Sequence, residues 1–176
     1  MENRKGALNV KSTAFGGILL ALSAVTLFLA SVLPTGRLAL YALSSFYVAV
    51  FIMKYGIRAG WVFYAASCLL AFVTMRGDIP ALALYIVFFG LYGIVKYYIE
   101  RINHIAIEYV LKLIFYNIVL FIGVVFIGNY LLGFFRVEFP WWILIAISEI
   151  VFLIYDYVFS MLIHYYKQKL KKILGI

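Results

Sequence analysis

The chain has 176 residues, 67% of them hydrophobic, with a mean hydropathy of +1.08 and 12% charged residues. Soluble domains carry about twice that charge and cannot hide so much apolar surface, which excludes a soluble globular class. The apolar runs are about 20 residues long rather than alternating ten-residue segments, so the class is an all-α integral membrane protein and not a β-barrel.

The basic start, MENRKGALNVKSTAFGG, leads into a long apolar run in the manner of a secretory signal. The run continues to Leu33 and ends at Pro34 without a small-residue cleavage pattern, so a retained first helix is expected. Punctuation then predicts six spans in one compact domain covering 1–176. They are about 13–33, stopped by Pro34-Thr35-Gly36; 38–53, followed by Lys54-Tyr55-Gly56; 57–75, closed by Arg76-Gly77-Asp78; 79–99; 109–134; and 141–166, opened by Pro140. Asp78 suits an N-cap and Pro80 the first turn of the fourth helix. Glu100, Arg101, Asn103 and His104 form a polar connection before the fifth.

Within the first span, Gly17, Ala21, Ala24 and Ser31 fall on one helical stripe. Small residues let a neighbouring helix approach closely where lipid removes the hydrophobic driving force. The neighbour is either another helix of this chain or a partner membrane subunit.

Placing the N-terminus in the cytoplasm puts twelve of the 15 Lys and Arg on the inner side. Arg37, Arg76 and Arg136 are then the only three on outer loops. That asymmetry predicts a multi-pass protein of the cell membrane with both termini cytoplasmic. It also accounts for the net charge of +8 without nucleic acid. The tail KQKLKKILGI serves as a topology anchor or lies on an anionic leaflet. Cys68 is the single cysteine, and His104 and His164 have no close second ligand, so no metal site is expected. No catalytic motif or cofactor-binding loop is present in the sequence, so an enzyme is not expected.

The last span raises the sharpest question, because SEIVFLIYD places Glu149 and Asp156 nearly two turns apart on one face. Ser160 and His164 continue that face. An ionisable residue at such depth costs about 2.5–3.5 kcal/mol on insertion scales, so the face must turn into the bundle or toward a water-filled cavity. Asn117 and nearby tyrosines are candidate partners, with Arg37 and Arg76 able to reach in from the outer loops. Two readings stand: an interhelical hydrogen-bond network, or an acidic pocket lined by aromatic residues and open to the outside. Trp141 and Trp142 belong to an interfacial belt, or one of them stacks on a ligand, where a carboxylate beside an aromatic face favours a cation.

The basic arm, the helix GGILLALSAVTLFLASVLP, the short second span and MKYGIRAGWVFYAASCLLAF together resemble the substrate-binding S components of bacterial energy-coupling factor transporters. The resemblance lies in span lengths and small residues over most of the chain. It implies a membrane-embedded subunit that captures a small, vitamin-like organic molecule from outside. It further implies lids formed by the loops after spans one and three, and docking to a transmembrane coupling subunit driven by ATPases. By the same resemblance Gly17, Ala21 and Ala24 would be the docking face. Glu149, Trp141, Asn117 and Asp156 would be pocket residues, and Arg37 and Arg76 would sit on the lids. MENRKG lacks the N-terminal histidine motif of the nickel and cobalt branch, so a metal substrate is not implied. The alternative is a structural or assembly membrane protein whose acids only hold helices together.

Overall fold

The computed structural model describes the backbone of residues 2–131 and 141–174, and the side chains of 10–125 and 142–169. Every major element is helical, and no strand occurs among the described residues. The helices are α1 (Glu2–Val32), α2 (Arg37–Tyr55), α3 (Ile57–Thr74), α4 (Ile79–Ile102), α5 (Ile105–Leu131) and α6 (Trp141–Leu174). Each contains a stretch long and apolar enough to cross a membrane. Their outer surfaces are apolar: Val62, Leu69, Phe121 and Trp142 are each about 70% exposed. The end of the expected fifth span, near Phe134, and the loop bearing Arg136 lie outside the described residues.

The breaks follow the expected punctuation. Gly36 and Gly56 adopt positive φ values of 77° and 86°, a region that L side chains enter at a cost, and so end one helix and start the next within a few residues. Asp78 Oδ1 accepts the Ala81 amide at 3.1 Å, making the expected N-cap ahead of Pro80. Asn103, also left-handed at φ 57°, separates α4 from α5.

The chain divides into two compact units, residues 1–97 and 98–176. In the first, α1, α2 and α3 pack on one another and α2 and α3 pack on the middle of α4. The face of α1 turned into this unit carries Gly16, Ser23 and Ala30, spaced by seven. Phe51 of α2 packs where a Cβ on Gly16 would sit, and Ser23 and Ala30 are fully buried. The α2–α3 contact relies on Gly60, because a Cβ there would overlap Ile52 Cγ1.

Helix α4 contains one departure that periodicity does not reveal, a π-helical turn over Tyr85–Gly90. Such a turn disturbs the ordinary i→i−4 ladder and leaves backbone groups to be satisfied from elsewhere. Tyr64 of α3 supplies one partner, its hydroxyl donating to the Ile86 carbonyl at 2.8 Å. Its ring lies 2.8 Å from where a Gly90 Cβ would stand, so only glycine admits it.

The second unit comprises the end of α4 with α5 and α6. Lys112 of α5 meets Asp156 of α6, and the later Asn117 meets the earlier Glu149, so the two helices run antiparallel.

Gly60→Ala is expected to lower stability by about 1–3 kcal/mol through overpacking against Ile52. Gly123→Ala, where an added Cβ meets nothing within 4 Å, is expected to be neutral or to stabilise by up to about 1 kcal/mol. Thermal unfolding of detergent-purified variants measures both.

Candidate functional site

The two acids of α6 have different surroundings. Asp156 is 3% exposed, and its Oδ2 accepts a hydrogen bond from Lys112 Nζ at 2.9 Å. Lys112 is itself 5% exposed and also donates to Glu100 Oε1 at 3.2 Å. A buried carboxylate is therefore neutralised by a buried cation that a half-open second carboxylate also engages. Bonds of this charge-assisted kind are short and directional, and they fix both helices in rotation. Ser160 donates back to the Asp156 carbonyl at 2.8 Å.

Glu149 is only half-buried. Its Oε1 accepts from Asn117 Nδ2 at 3.1 Å, and that amide also bonds the Leu113 carbonyl. No cation pairs with Glu149 among the described residues, so most of its acceptor capacity is open. Between the two polar pairs, Tyr116 stacks on Phe152 at 4.5 Å and 11°. That stack separates the Lys112–Asp156 ion pair from the Asn117–Glu149 hydrogen bond along the α5–α6 seam. Asn117 also lies at the edge of an open, apolar face of α5, among exposed aliphatic and aromatic side chains. That face carries Val110, Leu113, Ile114, Ile118 and Phe121.

The remaining sequence candidates fall as follows. Arg37 pairs with Asp78 at 3.0 Å, their side chains 40% and 34% exposed, while its Nε donates to the Leu33 carbonyl at 2.9 Å. This joins the loop before α2 to the loop before α4. Arg76 is exposed and has no ion-pair partner among the described residues. The Trp141 side chain lies outside the described side chains. Gly17 and Ala21 face outward: a Cβ on Gly17 meets nothing within 4 Å, Ala21 is exposed, and Ala24 is intermediate. Packing within the first unit uses the neighbouring stripe of Gly16, Ser23 and Ala30 instead. His164 bonds Gln168 at 2.8 Å. Among the described residues no group of three or more His, Cys, Asp or Glu is placed to hold a metal.

Sequence reasoning missed three features. Lys112 counts as an inner-side loop charge by position, yet it sits two turns into α5 and is buried. Its spacing of five from Asn117, against seven between the acids, is the available signal for an antiparallel match. The second feature is a hydroxyl chain in the first unit, in which Ser23 meets Ser44 at 2.6 Å and Ser44 meets Tyr85 at 3.0 Å. Serines inside apolar runs are its sequence signal. The third is Tyr41, 2% exposed, whose hydroxyl has no hydrogen-bond partner among the described residues.

Comparison with protein-family models, with curated proteins and with solved structures finds no match, so the functional argument rests on the residues themselves.

Lys112→Met alone is expected to destabilise by about 3–5 kcal/mol because it strands Asp156, while Lys112→Met with Asp156→Leu recovers most of that loss. A double-mutant cycle by thermal unfolding checks the coupling. Tyr41→Phe is expected to raise stability by about 1 kcal/mol, since it removes a buried hydroxyl left unsatisfied; a measured loss shows that this oxygen holds a bound partner.

Proposed function

We propose that the chain is a multi-pass membrane protein with both termini cytoplasmic. In this reading it acts as the substrate-capturing subunit of an importer of the energy-coupling factor type. The observation that carries the reading is the Glu149–Asn117 pair, a half-buried carboxylate whose one side-chain partner among the described residues is an amide, beside the apolar face of α5. A hydrogen-bonded carboxylate at an apolar wall suits a small organic molecule with a cationic or strongly donating group. The wall contributes burial and the acid sets the orientation. Asp156 has a different task in this reading, holding α5 to α6 through Lys112.

Two further features support an importer subunit over a scaffold. The small-residue face of α1 is left open at Gly17 and Ala21, as a close-approaching partner helix requires. The Arg37–Asp78 pair ties together the loops after the first and third spans, the two that the resemblance assigns to the lids. Orientation follows from the Lys and Arg asymmetry. The coupling subunit and its ATPases would be supplied in trans, and this chain carries no catalytic step.

Native mass spectrometry of gently purified protein is expected to show a retained small molecule that Glu149→Gln loses while thermal stability is kept. Separately, Gly17→Leu with Ala21→Leu is expected to abolish co-purification of a larger membrane subunit without affecting that retention. Retention unchanged in Glu149→Gln, or co-purification unchanged in the α1 variant, defeats the corresponding half of the proposal.

A further inference from the structure

The end of the first unit where α1 begins and α2 turns into α3 carries cations from three helices. Lys11, Lys54 and Arg58 are all exposed, and none forms an ion pair among the described residues. Two contacts join the start of α1 to the end of α2. Lys54 Nζ sits 3.7 Å from the centroid of the Phe15 ring, one turn along α1 from Lys11. The Tyr55 hydroxyl reaches the Lys11 carbonyl at 3.4 Å. Lys54 and Arg58 flank the tight connection at Gly56, two residues to either side.

Among the described side chains nothing near them balances this charge. Among the described side chains of residues 10–97 the one carboxylate is Asp78. It is held by Arg37 at the start of α2, about 26 Å of helix rise from Lys54. The positive-inside rule accounts for the sign of charge on a loop, but it counts residues and does not require cations from three helices to lie at one end of a packed unit. A cation held over an aromatic ring has also given up part of its rotamer freedom, so less is lost when it meets an anion.

We propose that this end of the first unit binds the phosphodiester headgroup of an anionic membrane lipid. The proposal rests on the membrane reading above and on no part of the ligand or docking argument. A lipid is favoured over free phosphate because apolar surface borders the cations on both flanks. Trp61 and Val62 follow Arg58 on α3 with 45% and 72% exposure, and Val10 precedes Lys11 with 69%. Acyl chains lie along such surface while the phosphate meets Lys11, Lys54 and Arg58. With each cation worth about a fivefold preference near an anionic surface, the three together favour an anionic over a zwitterionic lipid by about a hundredfold.

The test uses the full chain in nanodiscs of phosphatidylcholine alone or with phosphatidylglycerol, read by melting temperature and by lipid retained in native mass spectrometry. Phosphatidylglycerol is expected to raise the melting temperature and to be the retained species. Lys11→Gln with Lys54→Gln and Arg58→Gln is expected to lose both effects, and Lys54→Arg to keep them. Equal melting temperatures and retention for the wild-type chain in the two lipids overturn the proposal whatever the variants do. An equal gain in the triple variant also overturns it, as does a full gain from inorganic phosphate in phosphatidylcholine discs. Retention of the small molecule and co-purification through α1 are scored separately, so failure here leaves those readings where they stand.

Discussion

Helices whose outer surfaces are apolar can satisfy a polar side chain only from within the protein, and the positions of the polar groups follow from that constraint. In the first unit the contact among α1, α2 and α4 uses neutral groups, although Lys96 is buried there too. A hydroxyl both donates and accepts, so Ser23, Ser44 and Tyr85 join α1, α2 and α4 without any ion to neutralise. The second unit meets it with charge. A carboxylate only accepts, and Asp156 is buried because Lys112 is buried with it. The neutral chain depends less on the rotation of each helix, since several hydroxyl orientations suffice. The ion pair fixes rotation, because a misplaced partner leaves a charge without compensation.

The span limits were legible because each break needs particular chemistry. Proline at position 34, glycine at 36 and 56, and the Asp78–Pro80 start cannot sit in a helix interior without cost, and the helices end or begin there. Which face of each span turns inward was much less legible. On α1 two small-residue stripes lie side by side: Gly17, Ala21 and Ala24, and Gly16, Ser23 and Ala30. Both satisfy the spacing for close packing, and only the bulk of Phe51 opposite Gly16 shows which one the unit uses. The π-helical turn in α4 has no periodic signature at all, since it depends on a tyrosine from another helix reaching the Ile86 carbonyl.

The candidate site was legible in part. Asn117 was expected beside Glu149, and the two are hydrogen-bonded. Asp156 was expected in the same network, yet its partner is Lys112, a residue that counting by loops assigns to the membrane surface. Lysine near a helix end is ambiguous in sequence, because its long stem lets the same position reach outward to water or inward to an acid. The choice belongs to the rotation of α5, which single-sequence periodicity leaves open.

The contrast between the two acids carries the functional argument. Glu149 and Asp156 share one face of α6, yet the residue opposite each on α5 differs: an amide for the first and an ammonium for the second. An ammonium settles a carboxylate electrostatically and leaves little for a third group to gain. An amide donates a hydrogen bond but leaves the negative charge, and that charge attracts whatever cationic or donor group can reach it. The Tyr116–Phe152 stack lies between the two and puts aromatic surface between Glu149 and the ion pair. An amide opposite a carboxylate also joins two helices by an ordinary interhelical hydrogen bond, so it is the charge left at Glu149, and not the bond itself, that distinguishes it from Asp156.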